Sequence, residues 1–348
     1  MRALTVEPGK ANSLALSEMP EPPATDGSVL VRTRAIGICG TDIEIVSGAY
    51  GTAAPGERRL IIGHESLGIV EEAPAGTGFE RGDHVVGIVR RPDPVPCPNC
   101  AIGEWDMCRN GLYTERGINK RHGYASERFR IEPDFLVKVD STLGLAGVLL
   151  EPASVVAKAW EQIVRIGARS VWQPRRVLVT GAGPIGLLAA LMGVQRGYDV
   201  RVFDRTDKGL KPELVRALGA DYASGELHEV KERPDVVLEC TGAAAVIVEV
   251  INRTAANGIV CLAGVSSGGH EIALDVGLVN RSLVLENDVV FGSVNANRRH
   301  YEAAALALAK APAGWLDRVV SHRSRLADWK SAFTPQPGAV KRVIEFES

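Results

Sequence analysis

The 348-residue chain has no surplus of either charge: 40 Lys and Arg face 42 Asp and Glu, for a formal net charge of −2. A nucleic-acid binder would show a clustered basic excess, so nucleic acid is not an expected partner. Long hydrophobic runs are also lacking. The longest apolar stretch, Ile185 to Val194, is about half a bilayer span, and no membrane partner is expected. The opening MRALTV reads as a strand and lacks the charged, apolar and small-residue order of a secretory leader, so the expected location is cytoplasmic. Cysteine is scarce. Six in so long a chain are too few for a disulfide framework, yet three crowd between residues 97 and 108, which points to metal. What remains is ordinary globular composition, 45% apolar and 24% charged, in a chain long enough for two domains.

The first 150 residues are short β-rich runs broken by Gly and Pro, such as SVLVRTRAIG, SLGIVEEA and DHVVGIV. From about Arg175 apolar strands alternate with helix-compatible stretches: RRVLVTG then IGLLAALMGVQRG, DVRVFD then KPELVRALGA, DVVLEC, and GIVCLAGV. That alternation predicts an α/β chain with a doubly wound parallel sheet after a mostly β domain. A helical run, RRHYEAAALALAK, and a strand-like ending, KRVIEFE, follow.

Gly181-Ala182-Gly183-Pro184-Ile185-Gly186 follows the apolar strand Val177 to Thr180 and opens a helix, the context that a dinucleotide-binding turn requires. The first glycine permits the bend, the second lets backbone approach a pyrophosphate, and the third lets helix pack on strand. Asp204, ending DVRVFD, stands where an acidic residue would hold the ribose hydroxyls, which favours NAD. Arg205 and Lys208 follow closely and are suited to the extra phosphate of NADP, so both cofactors stay open. Thr241 with Gly242, and Val265, fall at strand ends where a dinucleotide would lie. Cys240 and Cys261 read as small buried hydrophobes, and His84, His270 and His322 as structural or solvated.

Cys97-x2-Cys100-x7-Cys108 lies in a loop-rich stretch that thiolates could organise around tetrahedral zinc. One ligand is missing; Asp93, Glu104, Asp106 or Glu115 would supply it, or the metal is absent. A second set is dispersed: Cys39 in GICGTD, His64 and Glu65 in IIGHESLG, and Glu151 in LLEPAS. Spacing alone does not bring these four together.

GICGTD, GHE-x-x-G, the cysteine loop and GAGPIG occur in the order and approximate spacing of the zinc-containing medium-chain dehydrogenase/reductase family, which the whole chain resembles. VRRP, TERGINKRHGYASE, LLEPAS and FGSVNANRRHY look like its glucose dehydrogenase branch. The resemblance implies a GroES-like catalytic domain over 1–150, a Rossmann domain over 151–297, and a segment over 298–348 that completes the first. It implies Cys39 and His64 as ligands of a catalytic zinc, completed by Glu65 and Glu151 directly or through water. It makes Thr41 the proton relay, and Glu115 and Asn295 the binders of sugar hydroxyls, Asn295 also lying near the nicotinamide. The implied reaction takes hydride from the anomeric hydroxyl of an aldose to NAD(P), leaving a lactone. Rival readings are a dehydrogenase of an acyclic polyol, L-threonine or a secondary alcohol, or an NAD(P)-binding sensor without chemistry. A homodimer or homotetramer is implied. Pro94 stands at the first ligand position of the usual four-cysteine lobe, the glycine expected after Gly68 is replaced around Pro74, and Asp204 replaces a small or amide residue.

Overall fold

The computed structural model describes residues 1–230, 232–266 and 271–346; His270 lies outside the described residues. The chain forms two units, one of residues 1–154, 295–309 and 319–348, the other of 155–294 and 310–318.

The first unit is mostly β. Its central strand, Val29–Ile38, alternates buried and half-buried side chains at first, then buries its last four, so the end near Cys39 is covered on both faces. That strand is flanked by Glu65–Glu72 on one side and Arg342–Glu345 on the other, both antiparallel. The sheet extends through His84–Gly87 and Leu136–Lys138 at one edge and His322–Arg325 at the other. The chain's last strand therefore closes on the first unit, placing Arg342 opposite Ile38. Smaller sheets are built from Ala15–Glu18, Arg2–Val6 and Leu60–Ile61, and from Arg90–Arg91, Thr114–Arg116 and Lys120–Arg121. The core includes Val31, Ile36, Leu60, Val85, Tyr124 and Phe129.

The second unit is a parallel sheet in the order Asp221–Ala223, Asp199–Phe203, Arg176–Thr180, Val236–Glu239, Ile259–Leu262, Val289–Gly292. The order reverses beside Arg176–Thr180, and at such a switch point an open α/β sheet binds its ligand. Strands such as VVLE are buried throughout, as a sheet covered on both faces demands. The tail is divided: Lys310–Arg318 packs with this unit rather than with the segments around it. The reason is local, since the Trp315 indole donates to the Leu214 carbonyl at 2.8 Å and Arg318 pairs with Glu213 at 2.6 Å.

The helical stretch Ser141–Gly167 is long and apolar enough to cross a membrane, a longer run than the sequence reading singled out. Its most apolar window is 67% buried inside the protein, which marks it as a core helix of a soluble-type fold. Trp160 on this helix is fully buried, stacks on Tyr198 at 5.5 Å and donates to the Ala189 carbonyl. Trp160→Ala is expected to cost about 3–5 kcal/mol in a denaturant titration, whereas Trp160→Phe, which keeps a ring and loses the hydrogen bond, should cost markedly less.

Candidate functional site

The buried end of Val29–Ile38 delivers Cys39, which caps the helix Gly40–Ser47. The neighbouring strand begins at Glu65, with Gly37 as its partner, so His64 and Glu65 arrive beside Cys39 through sheet register. The Cys39 sulfur lies 3.0 Å from His64 Nε2, and donor atoms of Cys39, His64 and Glu65 all fall within 4.8 Å of one another. Asp42, fully buried on the same helix, accepts from the Cys39 amide at 3.0 Å and faces His64 Nδ1 at 3.4 Å. A carboxylate on the far ring nitrogen fixes the imidazole's orientation and leaves Nε2 for a metal. Glu65 is ion-paired with Lys341, itself 1% exposed.

Glu151, in the first turn of Leu150–Gly167, lies outside the tight triad but within its field. Burial pushes its carboxyl up to about 7, the Glu65 charge adding and His64 opposing. Burial works against a charged His64, yet the Cys39 sulfur and Asp42 lift it well above its ordinary value. A cysteine sulfur, an imidazole and two carboxyl groups are a donor set that suits zinc. Thr41 stands half-buried two residues after Cys39.

In the same unit, Asn295 Nδ2 donates to Glu115 Oε1 at 2.8 Å. Arg90 donates to that oxygen from Nε and Nη2, at 3.1 and 3.0 Å, and lies 3.7 Å from the Tyr113 ring centroid. These three bonds all fall on Oε1 of Glu115. Asn295 has φ +63°, and Asn297 donates to Asp106 at 2.9 Å and Glu104 at 3.2 Å, which anchors the segment carrying it.

Cys97, Cys100 and Cys108 converge with all three sulfurs within 4.8 Å. None of the four carboxylates expected as a fourth ligand joins them. Asp93 accepts from the Val95 amide and Asn110, both at 2.8 Å. Glu104 and Asp106 are engaged with Arg299 and Asn297, and Glu115 with Arg90 and Asn295.

In the second unit, Gly181 adopts φ +90°, and a Cβ on Gly186 would lie 1.8 Å from the Gly181 carbonyl oxygen, so the turn tolerates no side chain there. A Cβ on Gly183 would meet nothing within 4 Å, which leaves open space at the start of the helix Pro184–Gln195, with Ile185 in its first turn. Backbone open at a helix N-terminus suits a pyrophosphate. Asp204 accepts from the Ala182 amide at 2.7 Å and the Thr206 amide at 2.9 Å, and pairs with Lys211 at 3.0 Å. Burial opposes its ionisation, but those donors hold the carboxyl below its ordinary value. Arg205 and Lys208 are exposed, so the cation beside Asp204 is Lys211. Val265 is 75% exposed, and its carbonyl lies where a Cβ on Gly242 would be. Buried Glu239 accepts from Thr241 and from the Gly242 amide, bracing that strand end. Asp42, Lys341, Arg90, Lys211 and Glu239 were missed by sequence reasoning; Asp42, inside GICGTD, and Arg90, inside VRRP, sat within motifs that could have signalled them.

Residues 25–141 match the GroES-like domain of alcohol dehydrogenases, and residues 144–346 match the glucose dehydrogenase C-terminus. Glucose 1-dehydrogenase of Methanocella arvoryzae is 40% identical over 99% of both chains, and that of Haloferax mediterranei 33% identical over the full length of both. The solved structure of Haloferax mediterranei glucose dehydrogenase in complex with NADP, Zn and gluconolactone superposes with a TM-score of 0.92, at 32% identity and full coverage of both chains. The chain belongs to the glucose dehydrogenase family of zinc-containing medium-chain dehydrogenases/reductases.

Proposed function

We propose that the protein is a zinc-dependent, NAD(P)-linked glucose 1-dehydrogenase, taking hydride from the anomeric hydroxyl of a glucose-like aldose and leaving a lactone. The observation that carries this reading is the convergence of Cys39, His64 and Glu65 in one buried cluster, in the same unit as the Glu115–Asn295 pair. Relatives named glucose 1-dehydrogenase and a neighbour holding NADP, Zn and gluconolactone support it.

When bound, zinc supplies Lewis acidity to a hydroxyl, and the nicotinamide accepts hydride. The chain's residues do the rest. Cys39 and His64 hold the metal, Asp42 orients the imidazole, and Glu65 and Glu151 complete the shell directly or through water. Thr41 passes the substrate proton outward. Glu115 accepts a hydrogen bond from a sugar hydroxyl through Oε2, and Asn295 binds a neighbouring one. Gly181, Gly183, Pro184, Ile185 and Gly186 receive the pyrophosphate, and Thr241 and Val265 line the strand ends. Asp204 receives the ribose, so NAD is preferred, with Lys211 and Arg205 permitting NADP. Cys97, Cys100 and Cys108 hold a second metal.

Six free cysteines suit a reducing compartment, in keeping with a cytoplasmic enzyme. The helix Val276–Glu286 exposes Val276, Leu278, Val284 and Leu285, and Val289–Gly292 beside it in sequence is an edge strand; we read this face as the contact with a second copy.

Asp42→Asn keeps the shape of the side chain and weakens its hold on His64, so zinc affinity or kcat/KM should fall about 10–100-fold; an unchanged value would remove Asp42 from the site. Aldoses, acyclic polyols, L-threonine and secondary alcohols, assayed with NAD and NADP in parallel, should show turnover of aldoses with the higher kcat/KM for NAD. Glu115→Ala should raise KM for the aldose while leaving KM for NAD in place. Turnover of polyols alone would overturn the aldose assignment. Sedimentation should give a mass of two or four times 37.1 kDa, and a monomer would refute the assembly.

A further inference from the structure

Among the described residues, no fourth protein ligand joins the three cysteines of the lobe. Cys97 and Cys100 are buried and Cys108 is half-buried. The Cys97 sulfur accepts from the amides of Cys100 and Arg109, each at 3.4 Å, which stabilises it as a thiolate. The four acidic side chains within reach in sequence are bonded elsewhere: Asp93 to Val95 and Asn110, Glu104 to Arg299, Asp106 to Asn297, Glu115 to Arg90. None shares the cluster of sulfurs. Pro94 stands three residues before Cys97, the same step that separates Cys97 from Cys100, and has no donor atom to offer.

We infer that this lobe is an open three-thiolate site for a thiophilic divalent cation such as zinc or cadmium, whose fourth position is filled by water or another exogenous ligand. This deepens the second metal site proposed above and is independent of the Cys39 cluster. Structural zinc sites are ordinarily closed by four protein ligands. With one position exchangeable, a chelator can attack the ion without first displacing a side chain, so the lobe should release its ion readily. The loop closed by Cys100 and Cys108 carries Glu104 and Asp106, which anchor Arg299 and Asn297. Occupancy of the lobe thereby braces the segment that begins at Asn295.

Cadmium-113 NMR of the full-length protein tests this, because the shift reports the number of sulfur ligands. The wild type should give two resonances, one with a single thiolate from Cys39 and one with three thiolates and an oxygen. Asp93→Asn should leave the second resonance in place. Pro94→Cys should move it to the four-thiolate position and slow chelator extraction of that ion by about tenfold or more. A lobe resonance that moves in Asp93→Asn would show a fourth protein ligand and overturn the open site. Absence of a lobe resonance beside an intact Cys39 resonance would mean that the lobe holds no metal, which refutes both this inference and the second metal site. Should Pro94→Cys fail to fold, the wild type and Asp93→Asn still decide.

Discussion

Burial of negative charge around one small volume is the constraint on which the first unit turns. Cys39, Asp42, Glu65 and Glu151 bring a thiol and three carboxyls into a region where Asp42 is fully excluded from solvent and Glu65 is 2% exposed. Such a collection is tolerable only with positive charge among it, because unpaired ions in low dielectric cost several kcal/mol each. The protein supplies Lys341 against Glu65, and the Cys39 sulfur and Asp42 favour the charged form of His64 against its burial. A metal ion would meet the same demand with more charge in less space. Lys341 precedes the strand Arg342–Glu345, which is pinned residue by residue along Ala35–Ile38. The closing strand and the cluster are therefore mutually dependent: the register that covers Cys39 also sets Lys341 beside Glu65.

The Glu115–Asn295 pair is organised by the same pairing of charge. Arg90 and Asn295 both donate to one oxygen of Glu115, which fixes the carboxylate in place. A preset acceptor can discriminate among hydroxyl-rich ligands, since a buried polar group left unpaired penalises the wrong one. Asn297 and Arg299 reach back to Asp106 and Glu104 in the cysteine loop. Two carboxylates of that loop thus tie it to the segment that begins at Asn295.

Much of this was legible in the sequence where the chemistry is local. Gly181 has a conformational and Gly186 a steric reason to be glycine, and a strand before them and a helix after were readable from apolar pattern alone. Cys39, His64 and Glu65 were legible only as a resemblance, because their meeting depends on register between strands about 25 residues apart in the chain. Lys341 and Lys211 left no signal: a lone lysine before a strand or in a helix's first turn looks like a solvated charge until the fold gives it a partner. The missing lobe ligand was unreadable for the converse reason. Asp93 has the right type and lies one residue from the usual position, and only the structure shows its carboxylate turned to Val95 and Asn110 and outside the cluster of sulfurs.

In the proposed enzyme the Cys39, His64 and Glu65 cluster holds the ion that meets the sugar. Replacing zinc by cobalt(II) and recording the visible spectrum before and after adding an aldose tests it most directly, since cobalt bands respond to a change in the ion's own ligands. Cobalt bands should shift on adding glucose, with the shift abolished in Cys39→Ser. Bands that ignore the sugar in an enzyme that still turns it over would contradict it.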